Sequence, residues 1–221
     1  MMLGTRTGPD LELKEALREI HLMSGLNRKA DDGASVAVGV TSPHFGDGKT
    51  TVAIGLASSL SHDFGADVTL VDCDFHTTSI GQEFGLSRSL GLAEVLNGRE
   101  SLAAVSHRVN QHITVVPAGR APSDPARAAR SESLVTLIEN MKQTSRFVVI
   151  DLPATLHSMN APVLAKRCDG VIVVVRAGRT PRRDLDRVLQ LLQGVNVLGV
   201  VVNRRKNVIP HWVEQALNLK G

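Results

Sequence analysis

Short apolar runs alternate along the chain with longer segments in which apolar residues recur every three or four positions. The runs are rich in valine and isoleucine and predict strands over residues 35–41, 67–72, 113–117, 147–151, 170–176 and 197–203. Helical periodicity between them predicts helices over residues 50–60, 131–141 and 182–192. This alternation is typical of βαβ units and of a parallel sheet.

Several predicted strands, such as VIVVV and VLGVVV, are apolar on both faces. A strand without a polar face needs cover on both sides, so we expect helices on both faces of a mostly parallel central sheet, in a three-layer α/β/α arrangement. Leucine, isoleucine, valine and alanine are plentiful, whereas the chain has 5 Phe, 1 Trp and no Tyr. The core is therefore expected to be aliphatic.

The two ends of the chain have a different pattern. Residues 10–23 are predicted to form an amphipathic helix, which a polar linker follows. Residues 208–219 are weakly amphipathic and are predicted to form a helix that packs on the core. We therefore divide the chain into an N-terminal helix with its linker, residues 1–33, and one α/β domain, residues 34–221. The stretch AGRAPSDPARAARS, residues 118–131, is predicted to be a surface connection.

Charge and cysteine content restrict the function classes. The net charge is +3, and the arginines are not interleaved with aromatic residues, so we expect no nucleic-acid partner. Cys73 and Cys168 lie far apart, and no Cys or His spacing indicates a zinc site or a disulfide. No run of about 18 apolar residues is present. We expect a cytoplasmic protein without direct membrane insertion.

A glycine-rich loop, TSPHFGDGKTT, joins the first predicted strand to the first predicted helix. Gly46 and Gly48 allow backbone N–H groups to approach phosphate oxygens, and the helix directs its positive end at the same anion. Lys49 is predicted to bind the terminal phosphates and Thr50 to bind magnesium. The predicted nucleotide-binding residues in this loop are Phe45, Gly46, Asp47, Gly48, Lys49, Thr50 and Thr51.

The loop departs from the usual GxxxxGK[ST] pattern at its first position, where this chain has Pro43. An ordinary turn before a helix can also contain a GDGK cluster. The apolar strand before the loop and the alanine-rich helix after it favour a phosphate-binding loop.

Carboxylates follow two other predicted strands. VTLVDCDF places Asp72 and Asp74 at the end of the second strand, with the same orientation if the strand continues that far, and FVVIDLP places Asp151 at the end of the fourth. Ligands collect at the carboxyl ends of parallel strands, so one of these carboxylates is expected to hold magnesium, directly or through water, and another to orient or deprotonate a nucleophile. The candidate magnesium ligands are Asp72 and Asp151, and the candidate catalytic residues are Asp72, Asp74 and Asp151 together with Lys49. Capping of a turn or helix is the alternative role for a single strand-end aspartate. Cys73, between two of them, is expected to face the core.

These motifs resemble those of the bacterial tyrosine kinase family, the cytoplasmic ATPase partners of polysaccharide chain-length regulators in capsule and exopolysaccharide export. TSPHFGDGKTT is similar to the family's Walker A loop, LVDCDFH to its Walker A-prime motif and VVIDLPA to its Walker B motif. The resemblance continues through GLAEVLNGRESL, VVPAGRAPSDPARAARS, DGVIVVVRAGRT and LGVVVN. EALREIH resembles the N-terminal helix that is associated with ring-like self-assembly.

The resemblance implies a P-loop NTPase fold, ATP or ADP with Mg²⁺ as cofactors, and ATP hydrolysis or kinase-like activity that regulates exopolysaccharide biosynthesis. It also implies that Asn203 lies near the adenine base. The implied partner is the cytoplasmic segment of a membrane polysaccharide chain-length regulator, which would recruit the protein to the inner face of the plasma membrane. The resemblance also implies that copies of this chain can form a homo-oligomer.

Some positions depart from that family's pattern. His76 stands where an arginine is expected, His21 replaces the third basic residue of the assembly helix, and Ala154 and Asn160 replace a proline and an aspartate. The sequence contains no tyrosine, so we expect no tyrosine autophosphorylation.

Two other functions are compatible with the sequence. A positioning ATPase of the ParA and MinD type would act on DNA or membrane, but those proteins carry a signature lysine where this chain has His44. The second alternative is a nucleotide-binding module with little turnover, which His76 and Ala154 favour. The arginines at positions 176, 179, 182 and 183 would suit an acidic partner, although solvated arginines are the commoner case.

Overall fold

A seven-stranded sheet forms the centre of the described part of the chain, residues 34–122 and 124–204 of a computed structural model. The strand order is β3-β4-β2-β5-β1-β6-β7; β3 is antiparallel to β4, and all other neighbouring strands are parallel. The strands are β1 Val36–Thr41, β2 Val68–Asp72, β3 His107–Arg108, β4 Ile113–Val116, β5 Phe147–Asp151, β6 Gly170–Arg176 and β7 Val197–Asn203.

Helices cover both faces of this sheet. They are α1 Lys49–Phe64, α2 Ser79–Glu83, α3 Leu92–Leu96, α4 Leu102–Val105, α5 Pro125–Arg130, α6 Glu132–Thr144, α7 Ala161–Ala165 and α8 Arg182–Leu191. The buried residues of α1 and α2 belong to one apolar cluster, and those of α3 to α8 belong to the other. Strand β6 serves both clusters, since Ile172 and Val174 face the first and Val171 and Val173 the second. The predicted three-layer arrangement with an aliphatic core is confirmed.

All six predicted strands and all three predicted helices within the described residues are present, with ends that differ by no more than four residues. The elements that were not predicted are short: β3 has two residues, and helices α2 to α5 and α7 have between four and six. Fewer than two helical turns do not produce a readable apolar period. The predicted helices at residues 10–23 and 208–219 lie outside the described residues.

The prediction for residues 118–131 was wrong in one respect, because this stretch contains helix α5. The Asp124 side chain accepts a hydrogen bond from Arg127 N and caps the helix, which has Pro125 in its first turn. Ala128 and Ala129 are buried, so the segment packs on the core and is more than a surface connection.

Strand β7 also differs from expectation. Its VLGVVV sequence predicted cover on both faces, but Val200 and Val202 remain 37% and 54% exposed at this edge of the sheet, so the described residues do not supply that cover. Among the described residues, no helix has the length and apolar character that a membrane span requires.

The topology brings three strand ends to one edge of the sheet. β1 lies between β5 and β6, and β5 lies between β1 and β2. In register, Asp151 is opposite Val40 on one side and Asp72 on the other. The loop that follows β1 therefore begins beside two strand-end carboxylates, at the edge where ligands bind in open α/β sheets.

Candidate active site

The glycine-rich loop after β1 depends on left-handed backbone conformations. Gly46 has φ 79 and Gly48 has φ 100, a region in which a side chain is strained. A Cβ on Gly48 would also lie 1.9 Å from Asn203 Nδ2. The Asn203 amide comes this close because its Nδ2 donates to the Asp47 backbone carbonyl at 2.9 Å. The end of β7 is thus hydrogen-bonded to the loop. The role of Asn203 near an adenine base stays a prediction.

Two carboxylates bind the buried ammonium of Lys49. It lies 2.9 Å from Asp74 Oδ2 and 3.8 Å from Asp151 Oδ1, and its side chain is only 7% exposed. Burial by itself lowers the pKa of Lys49, but the charges of Asp151, Asp74 and Asp72 outweigh it and raise this pKa. Lys49 therefore stays protonated in its buried position.

Thr50 and Asp151 form a pair of oxygen donors beside that ammonium. Thr50 Oγ1 donates to Asp151 Oδ2 at 2.6 Å, while Asp151 Oδ1 is buried and accepts no hydrogen bond from the described residues. Burial raises the pKa of Asp151 to about 6, although Lys49 and the Thr50 hydroxyl oppose the shift. A buried carboxylate oxygen without a donor, next to a threonine hydroxyl, fits the hard-oxygen preference of Mg²⁺.

Asp72 shapes the turn that carries Asp74. It is fully buried, and its two oxygens accept from Asp74 N at 3.0 Å and Ile80 N at 3.2 Å. Burial and the charge of Asp151 raise the pKa of Asp72 to about 8. The strand ends at Asp72, so a turn, rather than strand alternation, places Asp74. The assignment of Asp72 as a magnesium ligand stays a prediction. With a raised pKa, the Asp72 carboxyl would have to lose its proton before it could bind the ion.

Asp74 is the partner that fixes Lys49. Its oxygens also accept from Thr77 Oγ1 at 2.8 Å and from His76 N at 3.1 Å. Burial alone raises the pKa of Asp74, but the ion pair with Lys49 outweighs burial and lowers it. Cys73 is buried, which confirms the prediction that it faces the core.

A cavity of about 690 Å³ opens above Lys49 and Thr50, within the size range of small-ligand sites. The predicted residues that line it are Phe45, Gly46, Gly48, Lys49, Thr50 and Thr51. The cavity is also lined by residues that were not predicted; they are Ile54, Gly55, Ser58, Thr77, Ser79, Gln82, Glu83 and Arg204. Asp47 does not line the cavity, since its carboxylate turns back to accept from His44 N at 3.1 Å.

The described residues contain no group of three or more His, Cys, Asp or Glu side chains that could hold a metal ion alone. Mg²⁺ usually keeps several waters and binds through one or two carboxylates together with substrate phosphates. Thr50 and Asp151 would therefore hold the ion only together with the phosphates of a nucleotide.

A second polar cluster, which was not predicted, lies beside the loop. His44 Nε2 is 2.8 Å from Asp184 Oδ2 at the start of α8, and His44 Nδ1 is 3.0 Å from His157 Nε2. The His157 ring also stacks on Phe45, with ring centroids 4.8 Å apart. These contacts join positions more than 110 residues apart, so no local pattern in the sequence indicates them.

The pKa values of Asp72 and Asp151 predict that the ligand-free chain becomes less stable as the pH rises. Both carboxyls have an ordinary pKa of 3.8, whereas the folded chain raises them to about 8 and about 6. Between pH 3.8 and these raised values the folded state holds more protons than the unfolded state, so the free energy of unfolding falls as the pH rises. The contribution of Asp151 to this fall ends above about pH 6 and that of Asp72 above about pH 8. Thermal unfolding from about pH 5 to about pH 9 measures this effect. Asp72→Asn is expected to flatten the upper part of the decline, and a midpoint that rises with pH would contradict the account.

Comparison with known proteins assigns the chain to a family. A family model described as the CobQ/CobB/MinD/ParA nucleotide binding domain matches residues 38–211, from β1 to beyond β7. The chain belongs to the CobQ/CobB/MinD/ParA nucleotide-binding domain family. The predicted P-loop NTPase fold is confirmed.

Several proteins that are similar to this chain in sequence are named as tyrosine kinases. Tyrosine-protein kinase CpsD of Streptococcus agalactiae serotype III is 28% identical over 169 residues, which cover 75% of this chain and 72% of CpsD. The putative tyrosine-protein kinase EpsB of Ralstonia nicotianae is 31% identical over 204 residues, which cover 91% of this chain and 27% of EpsB. The crystal structure of the VpsO kinase domain superposes with a TM-score of 0.76 at 28% identity and covers 87% of this chain and 96% of that domain. The resemblance to bacterial tyrosine kinases is confirmed.

Proposed function

We propose that the chain binds MgATP and transfers the γ-phosphoryl group to a tyrosine outside this sequence, as a regulator of exopolysaccharide or capsule biosynthesis. The phenol oxygen would form a bond to the γ-phosphorus, the bond to the β-phosphate oxygen would break, and ADP would leave. The phenol proton would pass to a carboxylate of the site. The observation that carries the proposal is the buried Lys49 ammonium, fixed 2.9 Å from Asp74 beneath a cavity that can hold a nucleotide.

Lys49, Thr50, Asp74 and Asp151 each have a part in this proposal. The N–H groups of the loop would bind the phosphates, and Lys49 would neutralise charge on the phosphoryl group as it transfers. Mg²⁺, when bound, would supply further positive charge to the site. Thr50 and Asp151 would hold the ion, while Asp74 keeps Lys49 in position. Preorganised charge of this kind is usually the largest contribution to such a reaction.

The acceptor and the location belong to the proposal as well. The resemblance to tyrosine kinases suggests a membrane polysaccharide chain-length regulator whose cytoplasmic segment docks on this domain in the cytoplasm. The family model also covers MinD and ParA, so a positioning ATPase is the second candidate. ATP-dependent co-sedimentation with liposomes or DNA would favour that candidate.

Labelled phosphate transfer tests the proposal. The purified chain is incubated with [γ-³²P]ATP, Mg²⁺ and a synthetic glutamate-tyrosine copolymer, and labelled phosphotyrosine and free phosphate are both measured. The proposal expects label in tyrosine, and Lys49→Met supplies the blank. Free phosphate without phosphotyrosine would indicate an ATPase. Bound nucleotide with neither product would indicate a binding module and would overturn the proposal.

A further inference from the structure

Two aromatic rings stand at the rim of the nucleotide cavity. Phe45 lines the cavity and is 41% exposed, and its ring lies 4.8 Å from that of His157 with an angle of 31° between the planes. His157 is exposed too, and Met159, two residues further on, is 83% exposed. In a chain with 5 Phe and 1 Trp, an aromatic ring left exposed at the site contributes little to packing.

Hydrogen bonds hold the His157 ring in place, and the Phe45 ring packs against it. His157 Nε2 lies 3.0 Å from His44 Nδ1, and the other nitrogen of His44 lies 2.8 Å from Asp184 Oδ2. The loop that carries His157 is fixed to the phosphate loop by Thr155 N, which donates to the Ser42 carbonyl at 2.8 Å. Because both nitrogens of His44 are bonded, the stack does not need to be ordered when a ligand arrives, and preorganisation of this kind favours binding.

Exposed positive charge lies next to the same stack. The side chains of Arg182 and Arg183 are 92% and 86% exposed at the start of α8. Arg183 Nε lies 3.7 Å from Asp184 Oδ1, on the carboxylate that holds His44. Among the described residues, the carboxylate that Arg182 meets is that of the half-exposed Asp186, at 4.0 Å. These guanidinium groups can donate hydrogen bonds to carboxylates of a partner.

We infer that Phe45 and His157 form the docking face for the phosphate acceptor, a tyrosine ring flanked by acidic residues. The inference rests on the proposed phosphoryl transfer. The sequence contains no tyrosine, so the acceptor lies outside it. A phenol ring packed on Phe45 would bring its hydroxyl to the mouth of the cavity, where the transferring phosphate would lie. Aromatic pairs with centroids about 4.5 to 7 Å apart attract each other beyond their buried area.

Kinetics with a defined peptide test this docking face. The substrate is a synthetic peptide with one tyrosine between glutamates, and KM is measured separately for the peptide and for ATP. Phe45→Ala is expected to raise the peptide KM by about five- to tenfold. Phe45→Trp is expected to restore it, because an aromatic ring returns. Phe64→Ala is the matched control, since Phe64 is similarly exposed, at 37%, but lies at the far end of α1.

A binding measurement separates this inference from the proposed reaction. The native chain with a non-hydrolysable ATP analogue is titrated with the fluorescent tyrosine peptide, with its alanine counterpart, and with a version that has lysine flanks. We expect the tyrosine peptide with glutamate flanks to bind most tightly. If the peptide binds in this titration but is not phosphorylated when MgATP replaces the analogue, the reaction fails and the docking face stands. Equal binding of the tyrosine and alanine peptides, or a Phe45→Ala variant that weakens ATP as much as peptide, would overturn the docking face.

Discussion

Replacing Lys49 with methionine is expected to lower MgATP turnover by at least about a hundredfold, the loss typical when a preorganised charge is removed from a transition state. The ammonium is already in place, buried and 2.9 Å from Asp74, and the methionine side chain carries no charge to replace it. Initial rates of phosphate release and phosphotyrosine formation measure the effect.

A loss of folding must be separated from this loss of turnover. In Lys49→Met, two buried carboxylates lose their counter-ion, which favours their protonated forms. Thermal unfolding near pH 6 therefore shows whether the variant is folded. Lys142→Met is the matched control, because Lys142 also pairs with two carboxylates, Glu139 at 3.3 Å and Asp169 at 3.2 Å, but on α6. If both variants lost turnover equally, the special role of Lys49 would be wrong.

Gly48→Ala is expected to weaken nucleotide binding by more than about tenfold, whereas Gly46→Ala weakens it less. Both glycines have positive φ, so both alanines carry a left-handed strain of roughly 1–2 kcal/mol. Only at Gly48 does the new Cβ collide with the Asn203 amide, at 1.9 Å, since no atom of the described residues lies within 4 Å of a Cβ at Gly46. Titration of each variant with a fluorescent ATP analogue measures the difference.

A double variant tests the cause of the Gly48 effect. Asn203→Ala removes the amide that collides with the new Cβ, so Gly48→Ala in that background is expected to bind nucleotide better than the two separate losses predict. The strain at φ 100 remains, so binding does not return to the native value. Additive losses of nucleotide affinity, or equal effects at Gly46 and Gly48, would show that the contact between Asn203 and the loop does not determine the loop's conformation.

The fold was predictable because its long elements carry strong local signals. Strand β6 is apolar on both faces and is buried on both faces, as VIVVV indicates. Helix α5 was missed because its signals are an aspartate cap and a proline within a stretch rich in turn residues. The exposed face of β7 could not be predicted, because an edge strand and a central strand can have the same apolar sequence.

The site was predictable where a residue's position follows from its own strand end. Lys49, Thr50 and Asp151 meet because the strands before them are neighbours in the sheet. The part of the cavity lining that contains Thr77 depends on the turn after β2, for which no prediction was made. The contacts among His44, His157 and Asp184 depend on tertiary structure alone. The roles of the individual residues in binding and catalysis remain predictions.

Calorimetric titration of the native chain with ATP, in Mg²⁺ and again in EDTA, tests the central claim most directly. The account predicts binding in Mg²⁺ that weakens by at least about tenfold in EDTA, because Thr50 and Asp151 lose the ion that links them to the phosphates. It also predicts no measurable binding by Lys49→Met. Equal affinity with and without Mg²⁺, or no affinity for ATP in either buffer, would contradict the account.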